Sequence, residues 1–263
     1  MLRPLIGPLT HRHHHSSRPR RAVPVTKLEA ANTYAPGHVI ALEIEDAAAP
    51  SGEWLRGPYT VTRATSETFD VIVKVVGKKS EAFAAAPLGT TLRFGGRFHT
   101  PILEGVDPSA ERVVAIATGT GAGPVLGFTE LAMAKRSGLS VDVFAGFRDD
   151  ADVMCAAAID DLKARHPDRL TWTDVVSAGD PDGRVSGAAA LRAVAAAAAA
   201  AETTHYHLIG NGAMVNEWRA GLKDAGVDDD RVTTEIYFNH KAEPDADVVA
   251  RIASALKPAG VGA

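Results

Sequence analysis

Val113-Val114-Ala115-Ile116-Ala117-Thr118-Gly119-Thr120-Gly121-Ala122-Gly123-Pro124 is the stretch on which the fold turns. Five apolar residues with no polar alternate read as a strand buried on both faces. The glycines read as a tight turn, and Pro124 as a residue of a helix's first turn. Strand, glycine turn and helix in that order open a parallel α/β unit. Glycines let a backbone approach a pyrophosphate closely, and the unpaired amides of a helix start face the anion. The same turn also serves where only a sharp connection is needed, so both a nucleotide site and a ligand-free turn fit it.

Downstream, apolar runs at 139–145, Leu170–Val176, 205–209 and Val232–Phe238 alternate with helical stretches. With 113–117 they make five strands, which predicts a doubly wound five-stranded parallel sheet. Gly138 marks a helix stop, a helix over 213–225 ends before Gly226, and the alanine-rich 188–201 makes an ordinary helix. A tail helix covers Ala246–Leu256. Upstream, short runs at 39–44, 59–63, 69–76 and 91–94 lie between Gly, Pro and Ser turns, which predicts a small antiparallel β-barrel domain. Residues 100–109 join the halves. The expected divisions are 23–105, 106–240 and 241–263, preceded by 1–22.

Composition narrows the class. With 263 residues and 46% hydrophobic content the chain has material for packed cores, which excludes a disordered or fibrous protein. The stretch 188–201 is mostly alanine and carries Arg192, so no membrane span is expected. Cys155 is the single cysteine, which rules out an internal disulfide and a four-thiolate cluster held by this chain alone. It reads as a small buried residue before a reactive thiol. Residues 1–28 hold six Lys/Arg and no carboxylate, and the remainder carries 22 Lys/Arg against 32 Asp/Glu, a balance of −10. That acidic body argues against nucleic-acid binding. The cationic start reads either as an organelle transit peptide, plastid before mitochondrion, or as a disordered tail on a cytoplasmic protein. His13-His14-His15 reads as incidental, and no metal is assigned.

The turn Gly119-Thr120-Gly121-Ala122-Gly123-Pro124 resembles the nicotinamide-binding segment of the ferredoxin–NADP reductase family. Other segments match that family in order. Pro36-Gly37-His38 resembles its entry to a barrel strand. Arg56-Gly57-Pro58-Tyr59-Thr60 resembles its Arg-x-Tyr-Ser/Thr flavin motif, and Gly77-Lys78-Lys79-Ser80 its Gly-x-x-Ser/Thr motif. Gly210-Asn211-Gly212-Ala213-Met214 resembles its Cys-Gly-Pro-x-x-Met segment, and Glu235-Ile236-Tyr237 its closing Glu-x-aromatic. The resemblance spans Pro36 to His240 and implies two cofactors, FAD and NADP, with NAD as the alternative.

It also implies roles. Tyr59 stacks on the flavin ring, Thr60 hydrogen-bonds near the flavin N5, Arg56 pairs with phosphate, and Gly77 and Ser80 hold phosphate at a turn. Thr118, Gly119, Thr120, Gly121, Gly210, Asn211, Met214 and Tyr237 line the nicotinamide nucleotide. Arg148, with Arg184, is the candidate for a 2′-phosphate, the alternative being an exposed surface arginine. Glu235 either relays a proton or polarises the nicotinamide amide, or is a solvent-facing strand residue. Without the resemblance, Tyr59 and Thr60 read as strand formers and Ser80 as a helix cap. His205 and His207 alternate with Tyr206 and Leu208, as histidines of a core or rim would.

Three departures stand out. The arginine of the family motif lies two residues before the tyrosine, where this chain has Gly57. Ile209 stands where the family has its cysteine. The segment before Pro36 is short for a complete first hairpin once 1–22 is set aside, which implies a trimmed or open barrel. The implied activity is hydride transfer between NAD(P)H and bound FAD, then electron transfer to a protein or small-molecule acceptor. Residues 36–105 balance at −1 and 106–263 at −8, so an acidic ferredoxin is admitted but not favoured. The alternative is a degenerate flavin- or nucleotide-binding module acting as a redox sensor or assembly partner.

Overall fold

The computed structural model describes residues 33–46, 52–198 and 203–257, together with the backbone of 5–8 and 20–26. The chain divides into two compact units, Met1–Leu103 with Gly123–Phe128, and Glu104–Ala122 with Thr129–Ala263.

The first unit is a six-stranded antiparallel sheet. Its strands are β1 (Leu5–Pro8), β2 (Arg20–Thr26), β3 (Val39–Glu45), β4 (Trp54–Ala64), β5 (Thr68–Lys74) and β6 (Thr91–Gly95), in the order β1-β6-β3-β4-β5-β2. Alternation puts Ile40, Leu42 and Ile44 of β3, Phe69, Val71 and Val73 of β5, and Leu92 and Phe94 of β6 into one core. Between β5 and β6 lies α1 (Lys78–Ala85), at the place where Ser80 reads as a helix cap. Its Phe83, fully buried in that core, holds it to the sheet.

β1 pairs with β6 and β2 with β5, so strand pairing begins ahead of the expected boundary at residue 22. A tail reading of 1–22 therefore differs from the structure at 5–8 and 20–22, and a sheet with both added strands is less trimmed than expected. The rest of that leader, with His13-His14-His15, lies outside the described residues. The expected linker at 100–109 contains a short helix, α2 (Ile102–Gly105), whose Ile102 is buried.

The second unit is the expected parallel sheet, with β7 (Arg112–Thr118), β8 (Ser140–Phe147), β9 (Leu170–Val176), β10 (Thr204–Asn211) and β11 (Val232–Phe238) in the order β11-β10-β7-β8-β9. Val113 to Ala117 are all fully buried, as a strand covered on both faces requires. The helices are α3 (Ala122–Lys135), of which Gly123–Phe128 counts with the first unit, α4 (Ala156–Arg165), α5 (Ala188–Ala197), α6 (Gly212–Asp224) and α7 (Ala246–Leu256). Leu191 and Val194 of α5, Trp218 and Leu222 of α6, and Val248 and Ile252 of α7 share a core with Val114, Ile116, Tyr206 and Leu208. The tail helix thus completes this unit.

Candidate functional site

In the second unit the chain winds outward from β7 to β8 and β9, then returns to β10 on the other side of β7. Loops leaving two such strands diverge, and an open α/β sheet binds ligands at that point, beyond the carboxyl ends of its strands. Gly119–Gly121 leaves β7 as one 3-10 turn, and α3 starts directly after it. Asn211 ends β10 and caps α6, its Oδ1 accepting from Ala213 N at 3.0 Å.

The two loops are tied together. Asn211 N donates to Thr118 Oγ1 at 2.9 Å, and a side chain at Gly210 would run into Thr118. Gly210, at φ +128, sits where the pairing of β10 with β11 shifts register. Gly119 adopts φ +57, and nothing lies within 4 Å of where its Cβ would project. Gly121 is the opposite case, since its Cβ would meet the Ile209 carbonyl oxygen at 3.0 Å. One glycine gives a left-handed turn with an open surface, the other a close approach of two strands' ends. Half-buried Thr120 lies between them.

In the first unit, β4 carries the flavin-motif residues with unbroken register against β3 from Trp54 to Thr60. The pleat sends Gly57 and Tyr59 to one face and Arg56 and Thr60 to the other. Half-buried Tyr59 meets the Phe83 ring of α1 edge-on, centroids 5.4 Å apart, and burial pushes its phenol up to about 12. Arg56 is exposed and pairs across the strands with Glu43 at 3.4 Å. The pleat places Arg56 on the face of β4 opposite Tyr59, beside Glu43.

Gly77 precedes α1 in extended backbone with open space where a Cβ would be. Buried Ser80 closes the turn on itself. Its Oγ accepts from Val76 N at 2.9 Å and Gly77 N at 3.1 Å and donates to Gly77 O at 2.8 Å. Ser80 therefore shapes the turn, and its hydroxyl is already engaged.

The family model described as an oxidoreductase NAD-binding domain matches residues 115–220, from β7 through most of α6. Residues 115–220 therefore form an oxidoreductase NAD-binding domain. It is 26% identical over 223 residues to the ferredoxin reductase component of 3-ketosteroid-9-alpha-monooxygenase from Mycolicibacterium smegmatis. That match covers 82% of this chain but 59% of the relative's length. The fold is similar to a cytochrome P450 reductase from Amycolatopsis, with TM-score 0.70, 21% identity, and 89% of this chain and 70% of that one covered. It is also similar to a ferredoxin NADP+ reductase from Neisseria gonorrhoeae with bound FAD and NADP, with TM-score 0.71, 17% identity, and 89% and 98% covered.

Other family-motif residues of this reductase-like chain fall into two groups. Ile209 and Glu235 are register partners on β10 and β11, both buried. Burial of Glu235 at 7% exposure removes the solvent-facing alternative for it. Tyr237 is half-buried two residues on. Met214, in the first turn of α6, is 6% exposed and shares the core with Trp218 and Tyr206. Arg148 and Arg184 are exposed, just beyond the ends of β8 and β9. The main chain links those ends, with Ala178 N donating to Arg148 O at 2.8 Å.

His205 and His207 face Thr233 from one side of β10, each with a ring nitrogen within 3.0 Å of Thr233 Oγ1. Burial pulls His205 down to about 4, against a smaller opposing pull from Asp107. It is a neutral core histidine at pH 7, as its alternation suggested. Cys155 differs from its expected buried place: it is half-buried and caps α4 at φ 61. Among the described residues no group of three His, Cys, Asp or Glu is arranged to hold a metal, and no helix is long and apolar enough to cross a membrane. Sequence reasoning passed over Lys79, whose side chain lies across Gly57. The signal for it was the small residue at 57, which leaves room for a neighbour.

Proposed function

We propose that this chain takes hydride from NAD(P)H onto a bound FAD and delivers electrons to a separate acceptor. The observation that carries this reading is the switch-point turn of the second unit. Gly119 leaves an open surface there, while Thr118 and Gly121 fix the backbone from behind. A preorganised row of amides at a helix start is the donor set that a dinucleotide's phosphates need. In the first unit, Gly77 leaves a second open turn beside α1, and Tyr59 offers a partly exposed aromatic ring steadied by Phe83. These residues fit a flavin dinucleotide. When bound, FAD supplies acceptance of two electrons as hydride and their release singly or in pairs.

The chain's own residues supply orientation. Tyr59 would hold the flavin ring by stacking, Thr60 would hydrogen-bond near its N5, and Gly119, Thr120 and Gly121 would bind the coenzyme's pyrophosphate. Glu235, buried next to Ile209, would polarise the nicotinamide amide or hold a proton. NADPH is the preferred coenzyme on local charge. Arg148 and Arg184 are the cations at that edge that favour a 2′-phosphate, with Asp149 and Asp150 directly after Arg148 opposing it.

The acceptor is a protein or a small molecule. The Mycolicibacterium relative is by name a ferredoxin reductase component, which favours an iron–sulfur protein. The −8 balance of residues 106–263 acts against an acidic one. The test is an anaerobic absorbance spectrum of the purified full chain before and after NADPH, with NADH as comparison. Flavin bands that bleach faster with NADPH are the expected result. Colourless protein that takes up no FAD would leave only the sensor or assembly reading.

A further inference from the structure

Gly57 is buried in β4, and the space beside it is filled by one side chain. A Cβ at 57 would meet Lys79 Cδ at 3.0 Å and Cε at 2.7 Å, with the ammonium nearer still. The lysine crosses the strand there and is pinned, its Nζ donating to the Arg56 carbonyl oxygen at 3.1 Å. That bond uses one of three donors. Lys79 also lies in the first turn of α1, beside Gly77.

The neighbouring cations are spent differently. Arg56 pairs with Glu43, and Lys78 pairs with Asp46 at 2.6 Å. Lys79 has no carboxylate partner among the described residues, although it is half-buried and ordered by a carbonyl. It stands on the Tyr59 face of β4, the face that the pleat denies to Arg56. A cation fixed over a glycine, next to a helix start and without a counter-ion among the described residues, is arranged for an anion.

Building on the flavin reading above, we infer that Lys79, extended over Gly57, is the side-chain cation that binds the pyrophosphate of the flavin dinucleotide. It reaches the site from α1 because β4 offers only a glycine there. Lysine is a point charge with rotatable donors, so it can keep its carbonyl contact while the others turn to phosphate.

The experiment measures flavin affinity of the full chain by fluorescence quenching, for FAD and for riboflavin, which has no phosphate. Lys79→Met keeps the aliphatic stem over Gly57 and removes the charge. It is expected to weaken FAD by about tenfold to a hundredfold, the range for a charge-assisted bond, and to leave riboflavin within about twofold. Lys79→Arg is expected to hold FAD affinity within about threefold. Thermal melting of each variant without flavin checks that the fold is intact. Equal FAD affinity in Lys79→Met and wild type would overturn the inference and leave the flavin reading standing. So would an equal loss for FAD and riboflavin, because it would assign Lys79 to pocket shape. Wild-type protein that binds neither flavin would overturn the flavin reading itself, and this inference with it.

Discussion

In the second unit the glycine turn after β7 is made of backbone: Gly119 opens it, Gly121 packs it against the Ile209 carbonyl, and Thr118 ties it to Asn211. In the first unit the corresponding ground between β4 and α1 is dressed with side chains. Lys79 lies over Gly57, Arg56 and Lys78 are each held by a carboxylate, and Ser80 folds back on its own turn. A backbone-built turn reads an anion by shape and tolerates little change in volume. A side-chain-built one reads it by charge, tolerates reshaping and answers to salt. Each unit is thus vulnerable to a different kind of substitution.

The largest effect should come from volume. Gly121→Val drives a branched side chain at the Ile209 carbonyl, and it should weaken NADPH and NADH by about a hundredfold, the effect of roughly 3 kcal/mol of overpacking. Calorimetric titration reads this directly, and FAD affinity measured alongside should stay near wild type. Unchanged coenzyme binding would break the contrast.

Next comes pH. His205 is pulled down to about 4 in the fold from 6.5. Its depressed value means that the folded state holds fewer protons than the unfolded chain as pH falls below 6.5. The second unit's stability is therefore fully present above 6.5 and lost on the way to 4, by about 2 kcal/mol between pH 7 and pH 5. Urea unfolding at the two pH values checks it, with His205→Gln expected to flatten the slope.

The smallest effect is salt. Raising NaCl from about 50 to about 500 mM should weaken FAD by about threefold to fivefold and NADH by less than about twofold, because screening acts on the lysine more than on fixed amides. Equal slopes for the two ligands would blur the distinction between the units.

The parallel sheet was legible from residues 113 onward because a strand buried on both faces writes an uninterrupted apolar run. The turn after it writes glycines, one of which the structure holds at positive φ. Four of the antiparallel strands were located, β1 and β2 were not, and β4 proved longer than its apolar stretch. Trp54, Arg56 and Pro58 extend it without adding to the hydrophobic pattern. Helix α1 was signalled only by Ser80 read as a helix cap, because a single buried phenylalanine among alanines, lysines and serine carries almost no periodicity. Arg56 and Met214 were assigned from their positions in motifs, which say nothing about facing. The pleat of β4 and the packing at the start of α6 supply that facing. Lys79 was hidden for the converse reason: what marks it is the absence of a side chain at residue 57, twenty-two residues away in sequence.

The terminal helix also bears on how the molecule comes into being. Ile252 of α7 is fully buried and lies so close to Gly221 that a Cβ there would strike it. Trp218 and Leu222 share that core with Val248 and Ile252. During synthesis β7 emerges about half a chain before α7, so the core of the second unit gains its last helix only at residue 256. The first unit depends on nothing so late and is free to close first.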